Sequence, residues 1–542
     1  MRKGVKITLW VLGSVAFLVI ATFLSADIVA SRIVQKEVSK AFERMPEADA
    51  RVGGIYLNLL SGSAVVRDIT FCTNSLTIED TITGKRAPGL ALHIPTLAVW
   101  NISYLDLLRE HRLTILKVTL DEPQILVYLD EKHPETIMPA FPKDTALQQA
   151  EGWLRGVGVR FVELKNLEAR LHSVRSPLQV AVDSFSFACR DIRYSIVDTL
   201  FSYNDSIYEL NLGAAKIALP DGLIDMEVHG LKTEDQGALK LGYTRIKHVV
   251  TPKQLADMNR EPTTWIDMEI NSVSTSAFNP IRKALAQDWT LESISADVKR
   301  LHVYRDARYA AKTPFGTPQD FLRKLPIRFT VKQVNASARQ IDVQFASTET
   351  NIGEMHIHNG RGQMKNVTNR PGATWSSTGK APFGDQGKVE AQYDIHFDKE
   401  ATFDVKIDAK DVETSDLNDF IRPLVGITSE CHIDHLDAQY HGDRTIATGN
   451  FCMQYTGLNV KVHKEDKIPY EIVTKNADFF TSLANTLVPK NNPTSVDPAP
   501  RRYEVEWKRD EWKPYPLYLF GPCIDGVKKT MLPGLYVHKQ TK

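Results

Sequence analysis

The chain has 542 residues, more than one hydrophobic core organises, so it holds several domains or an elongated repeat. Apolar residues make up 43% and charged residues 24%, a mixture too apolar for a disordered chain. Lys+Arg and Asp+Glu each number 66, so the net charge is zero, without the basic excess on which nucleic-acid binding depends.

The N-terminus carries Arg2, Lys3 and Lys6, followed by an uncharged stretch from Ile7 to Ala26 that includes Leu9, Trp10, Val11, Phe17, Leu18 and Ile20. About 20 residues of helix rise ~30 Å, enough to cross the hydrocarbon core of a bilayer. The preceding basic residues place the N-terminus in the cytoplasm and everything after Asp27 on the far side. A cleaved signal peptide has a shorter apolar core, about 7–15 residues, and ends in a small-residue cleavage site. Here the run is longer and the helical pattern continues from Ser31 to Arg44. Residues 1–30 are therefore expected to be a cytoplasmic tip and a transmembrane helix in the inner membrane.

Beyond the helix the hydrophobic period changes to two. Val389, Ala391, Tyr393, Ile395 and Phe397 alternate with Glu390, Gln392, Asp394 and His396. Phe403, Val405, Ile407 and Ala409 alternate in the same way, as do Ile266, Met268, Ile270 and Leu458, Val460, Val462. Such alternation predicts strands with one apolar and one wet face. Turn signals separate them, among them Asn359-Gly360, Pro371-Gly372 and Gly384-Asp385. Leu113 to Leu129 is apolar on both faces, which predicts strands covered on both sides. The short helix expected over Ile102–Glu110, with Leu105, Leu107 and Leu108, is the candidate cover. Further short helices are expected at Ala146–Arg155, Pro252–Arg260, Phe278–Gln287, Pro318–Lys324 and Ala477–Leu487. Arg160-Phe161 with Val162, Asn166, Ala169 and Arg170 echoes Arg328-Phe329 with Val331, Asn335, Ala338 and Arg339, hinting at a repeated β unit. Lys490–Arg502 reads as a Pro/Asn-rich linker, and Trp507, Trp512, Tyr515, Tyr518 and Phe520 as an aromatic tail that closes an edge.

The five cysteines, Cys72, Cys189, Cys431, Cys452 and Cys523, form no CxxC pair. Cys431 and Cys452 can bridge only if their strands are neighbours in the right register. Cys431, His432, Asp434, His435 and His441 are the densest set of potential metal ligands, but strand geometry points His432 and Asp434 away from His435. His356 and His358 share one strand face. There is no G-x-S-x-G elbow and no Gly-rich phosphate loop between a strand and a helix, and Glu390, Asp404 and Asp408 fall on wet strand faces. No catalytic residue, metal site or cofactor is therefore expected.

The order of elements resembles the AsmA-like superfamily of membrane-tethered β-groove proteins in bacterial envelopes. The resemblance rests on the N-terminal span, Gly62–Phe71, Ile94-Pro95-Thr96-Leu97-Ala98-Val99, the Leu-rich Tyr104–Leu108, and Leu113–Ile125 with its Asp121-Glu122-Pro123 turn. Near the other end it rests on Ala447–Phe451 and Tyr455–Val462. It implies a mainly β fold: a transmembrane helix, then an elongated, curled antiparallel sheet shaped as a groove or taco, with short capping helices. It divides the chain into an N-terminal module over 31–145, a repeating β-groove over 146–465, and a C-terminal helix, linker and aromatic tail over 466–542. It implies phospholipid in the groove, and a role in phospholipid transfer between membranes or in outer-membrane biogenesis with partner envelope proteins. The expected lining is Ile266, Met268, Ile270, Val389, Tyr393, Ile395, Phe397, Phe403, Val405, Ile407, Leu458, Val460 and Val462. The alternative is an ectodomain of closed β-domains that binds a protein partner. Period-two alternation fits a filled core and an open groove equally well.

Overall fold

The structure, a computed structural model, describes residues 26–40, 48–73, 88–130, 132, 155–195, 200–234, 237–278, 289–325, 328–463, 481–482, 485–486, 488–495 and 497–531. The fold is mainly β and separates into two units, Met1–Leu241 and Gly242–Lys542. The expected membrane stretch ends where the description begins, so Leu9, Trp10, Val11, Phe17, Leu18 and Ile20 lie outside the described residues. Among the described residues no helix is long and apolar enough to cross a membrane.

The first unit contains β1 (Ala48–Asn58), β2 (Ser63–Thr73), β3 (Gly89–Ile102), β4 (Arg112–Asp121), β5 (Gln124–Leu129), β6 (Gly156–Ser173), β7 (Gln179–Ser195), β8 (Leu200–Ala218), β9 (Ile224–Thr233) and β10 (Ala238–Leu241). Strands β1 to β3 and β6 to β10 pair antiparallel with their sequence neighbours. Both β4 and β5 lie antiparallel to β3 and parallel to β6. They are thus one strand interrupted at Glu122-Pro123, and the expected acid-Pro turn does not reverse the chain. Proline has no N–H for the ladder, and Glu122 takes a left-handed φ of 49°, so the strand steps aside and resumes. The parallel pairing also corrects the expectation of a purely antiparallel sheet. A parallel neighbour requires a long crossover between the two strands.

The interruption belongs to a column. Neighbouring registers put Gly53 opposite Asp68, Asp68 opposite Pro95, and Pro95 opposite Glu122-Pro123. The same level continues through Asn166, Ser184, Gly213 and Gly230. Asp68, Asn166, Ser184 and Gly230 all have positive φ, between 51° and 72°. Gly53 is required there: a Cβ would fall 2.9 Å from that of Asp68. Each bulge bends its strand and increases the twist, so a column of them creases the sheet along one line.

The free edge of β1 is covered by α1, the helix described over residues 26–40. The Leu57 N–H donates to Ser31 Oγ at 2.8 Å and the Leu59 N–H to Asp27 Oδ1 at 2.8 Å. These bonds satisfy edge groups that would otherwise template another strand. Helix α2 (Tyr104–Glu110) forms where expected, with Ser103 as its N-cap. It lies against β4, where Ile115 is buried, but none of its own residues is fully buried and Leu116 on the other face stays 36% exposed, so α2 covers only part of Leu113–Leu129.

The second unit contains β11 (Thr244–His248), β12 (Thr263–Ala277), β13 (Trp289–Asp306), β14 (Phe329–Ala346), β15 (Ile352–Thr368), β16 (Thr374–Phe383), β17 (Gly387–His396), β18 (Phe403–Glu413), β19 (Ile427–Gly442), β20 (Ile446–Val462) and β21 (Arg502–Lys508). They pair in sequence order, antiparallel except for the parallel pair β13–β14. The two copies of the internal echo therefore share a topological position, since β6 and β14 each follow a parallel crossover. The likeness stops at the bulge: Asn166 is left-handed, whereas Asn335 sits in a regular ladder.

Helices α3 (Pro252–Asn259) and α4 (Pro318–Arg323) match expectation, each closed by a Thr-led capping box with proline in the first turn. α5 (Asn418–Val425) and α6 (Tyr515–Met531) have no counterpart in the sequence reading. The expected helices Ala146–Arg155, Phe278–Gln287 and Ala477–Leu487 fall largely outside the described residues. In α6, Pro516, Gly521, Pro522 and Gly526, with Pro514 just before it, mask the helical period, which made the segment read as an aromatic tail.

Candidate functional site

Directly paired residues share a sheet face, so the registers define rows of side chains across the strands. In the first unit one row runs Ala50, Phe71, Leu92, Ile125, Ala169, Val182, Ala215, Val228. It crosses eight strands, roughly 34 Å at ~4.8 Å per spacing, without a polar side chain. The next row outward holds Leu90, Val127, Leu171, Val180, Ile217 and Met226. Beyond the crease the same face continues with Val66, Leu97, Leu120, Leu164 and Phe187, then Ala64, Val99, Val118 and Val162. Most of these side chains are only half-buried. Leu212, Ala215 and Val228 form the unit's one fully packed cluster among the described residues. The opposite face is mixed: Ile115, Phe161 and Leu126 share it with the cross-strand ion pairs Lys117–Glu163 at 2.7 Å, Arg170–Asp183 at 2.6 Å and Lys216–Glu227 at 3.7 Å. The Lys117 hydrogen bond holds the Glu163 carboxyl below its ordinary pKa, as expected of an ionised pair on a wet face.

The second unit treats its apolar face in two ways. Over β12 to β15 the rows Ile266, Val303, Val343, Met355 and Met268, Leu301, Ile341, Ile357 are half-buried, while Ile270 is buried. From β17 to β21 the face is sealed. Ile395, Phe397, Phe403 and Val405 are at most 5% exposed, and Leu458, Val460 and Val462 are buried as well. Val389, Tyr393 and Ile407 pack against the same cluster. Helix α6 supplies the lid. Tyr515 and Tyr518 meet Phe403 edge to face, Tyr440 Oη donates to the Leu519 carbonyl at 2.7 Å, and Tyr518 Oη donates to the Asp443 carbonyl at 2.9 Å. Residues 485–492 lie along the other half of β20 through Asn485 and Asn492. Burial pushes the Tyr455 phenol up to about 12 and the Cys523 thiol up to about 11. The groove lining expected at Phe403, Val405, Ile395, Phe397, Leu458, Val460 and Val462 is therefore a filled core. Apolar periodicity carried no information about α6, which occupies the space a ligand would need.

The polar clusters are ion-pair ladders between strands. His432 Nδ1 meets Glu413 at 2.8 Å, His435 Nε2 meets Asp408 at 2.8 Å, and His356 Nδ1 meets Asp342 at 2.8 Å. The Glu413 hydrogen bond raises the pKa of His432. Asp404 lies between His396 and His441, each at 2.9 Å, and Thr374 Oγ1 is 2.9 Å from His396 Nδ1. This row occupies an open polar depression with Gln392, Asp394, Lys406 and Gln439, so water reaches it freely. Among the described residues no group of three His, Cys, Asp or Glu side chains is arranged to hold a metal ion. Cys431 points into the core while His432 and Asp434 face solvent. Cys452 sits opposite Asp437 rather than Cys431, so these two cysteines do not bridge although β19 and β20 are neighbours.

The open apolar face of the first unit was not singled out in the sequence. Its signal was present in the alternation of Val180 and Val182 and of Leu164 and Val162, but the run Leu113–Leu129 masked it by being apolar on both faces. No family model, curated protein or solved structure matches the chain.

Proposed function

We propose that this chain is a membrane-tethered envelope protein of the AsmA-like type, whose first unit holds phospholipid acyl chains against an open apolar sheet face. Its role is phospholipid transfer between membranes, or support of outer-membrane biogenesis, without catalysis of its own. One observation carries the reading: an apolar row crosses eight strands of the first unit's sheet in register, flanked by three shorter ones, yet among the described residues only one small cluster of that unit is packed. An acyl chain laid on such a face leaves water at about 0.8 kcal/mol per CH₂, comparable to its state in a bilayer. Near-equal energies in protein and membrane permit exchange rather than trapping. The uncharged stretch Ile7–Ala26 supports a tether in the inner membrane, with the bulk of the chain in the periplasm.

A second reading has its own support. The sealed β17–β21 core under α6 is a closed β interior that leaves no room for lipid, in keeping with the alternative of an ectodomain of closed β-domains that binds a protein partner by its surface. Both readings hold together if lipid is confined to the faces left open.

A photoreactive phenylalanine analogue at Leu92 or Leu171, irradiated in living cells, is expected to yield adducts carrying phospholipid. The same group at Phe403 is expected to yield none. Equal labelling at all three positions, or none at Leu92 and Leu171, removes the lipid reading.

A further inference from the structure

Helix α2 lies against β4 with Leu107 half-buried, yet it turns Leu105 and Leu108 outward. Leu105 is 63% and Leu108 70% exposed, and they share a helix face at i, i+3. Leu60, in the β1–β2 turn, is 74% exposed. The Ile102 N–H donates to the Gly62 carbonyl at 2.7 Å, which brings that turn beside the entry to α2. The asymmetry is marked. Among the described side chains of the first unit, every large apolar residue that is exposed falls between Ile28 and Leu116, and none falls on β6 to β9.

The chain itself indicates what covers this patch. Asp27, the first charge after the stretch Ile7–Ala26, accepts from the Leu59 N–H at 2.8 Å. The stretch therefore ends beside the turn that carries Leu60. Ile28 and Val29, each 56% exposed, extend its apolar character along α1. Trp100 and Tyr104 are exposed near α2, as are Arg109 and Arg112. Aromatic rings and arginines flanking protruding leucines match the headgroup layer of a bilayer, where rings sit at the boundary and guanidinium groups meet phosphate.

We infer that Leu60, Leu105 and Leu108 form a foot that dips into the outer leaflet of the membrane in which the chain is anchored, setting this end of the first unit against the lipid surface. The inference rests on the tether reading and adds a second, peripheral membrane contact to it. It gives the apolar sheet face a defined approach to the leaflet from which lipid would come.

The test uses the full chain reconstituted into vesicles of phosphatidylethanolamine and phosphatidylglycerol, with Leu60→Cys, Leu105→Cys and Leu108→Cys each carrying an environment-sensitive fluorophore. Lys216→Cys and Lys332→Cys serve as wet-face controls, and the unsubstituted chain is the blank for its native thiols. Vesicle flotation after carbonate washing is scored on the same samples, and unchanged melting temperatures establish that the variants fold. Nitroxide placed near the lipid headgroup is expected to quench the three foot positions at least about threefold more than the controls. Flotation without that difference overturns the foot and leaves the tether standing. Failure to float overturns the tether and the foot with it. Excimer emission from pyrene at Leu105→Cys, in place of lipid quenching, assigns the patch to a second copy and also overturns the foot.

Discussion

Asp320 joins two parts of the second unit through a single carboxylate. It closes the capping box of α4 by accepting from Thr317, and it receives both Arg444 guanidinium nitrogens at 2.8 Å from the β19–β20 turn. The Arg444 hydrogen bonds, opposed by partial burial, hold its carboxyl far below the ordinary aspartate value. A depressed carboxylate pKa stabilises the fold above the unfolded value, about 3.9, and that contribution is lost as pH falls through the lower folded value. Asp320→Asn is therefore expected to cost about 1–2 kcal/mol at neutral pH, with the gap to wild type closing as the solution is acidified below about pH 4. Thermal melts across that range check it, and a gap independent of pH would contradict the assignment. The cap was legible in Thr317-Pro318-Gln319-Asp320, but Arg444 was not, because 124 positions separate the partners and only the fold brings them together.

Helix α6 decides which part of the apolar surface is core. It approaches closely because it has no side chain at two contacts: a Cβ on Gly526 would lie 2.1 Å from the Phe451 ring, and one on Gly521 2.3 Å from Trp507. Gly526→Val is expected to lift the helix and cost about 1–3 kcal/mol, read as a lower denaturation midpoint and faster amide exchange over 515–531. Unchanged exchange would mean that the helix is held elsewhere. The sequence disclosed the strands under α6 well, since Phe403–Ala409 and Leu458–Val462 alternate cleanly. It concealed the helix, because glycine and proline are the residues that close packing needs and also the residues that signal loops. Strand positions were readable from local chemistry, whereas the occupant of the apolar face was not. Helix α2 makes the converse case: its leucine stripe was plain, yet its exposure followed from where it sits in the sheet.

At the scale of the molecule, apolar character is spent in two ways, on a sealed core under α6 and on an open sheet in the first unit. The two respond differently to charge. Ile125→Glu combined with Leu92→Glu puts two carboxylates into the long apolar row, at half-buried positions away from the packed cluster of Leu212, Ala215 and Val228. The pair is expected to abolish co-purifying phospholipid while moving the first unit's melting transition by only a few degrees, about 1–2 kcal/mol. Phe403→Glu places a charge in a dry interior and is expected to unfold the second unit outright. Retention of phospholipid in the double variant, measured by mass spectrometry of extracts, would show that the row is not the lipid site. The aligned column from Gly53 to Gly230 carries a further consequence for how such a sheet can grow. A hairpin transplanted into it must bring its own irregular residue at the matching height, or its two halves fall out of step with both neighbours. Lengthening by duplication thus favours whole strand pairs cut with their kinks intact, and a single straight strand inserted between β6 and β7 would be rejected as a misfit.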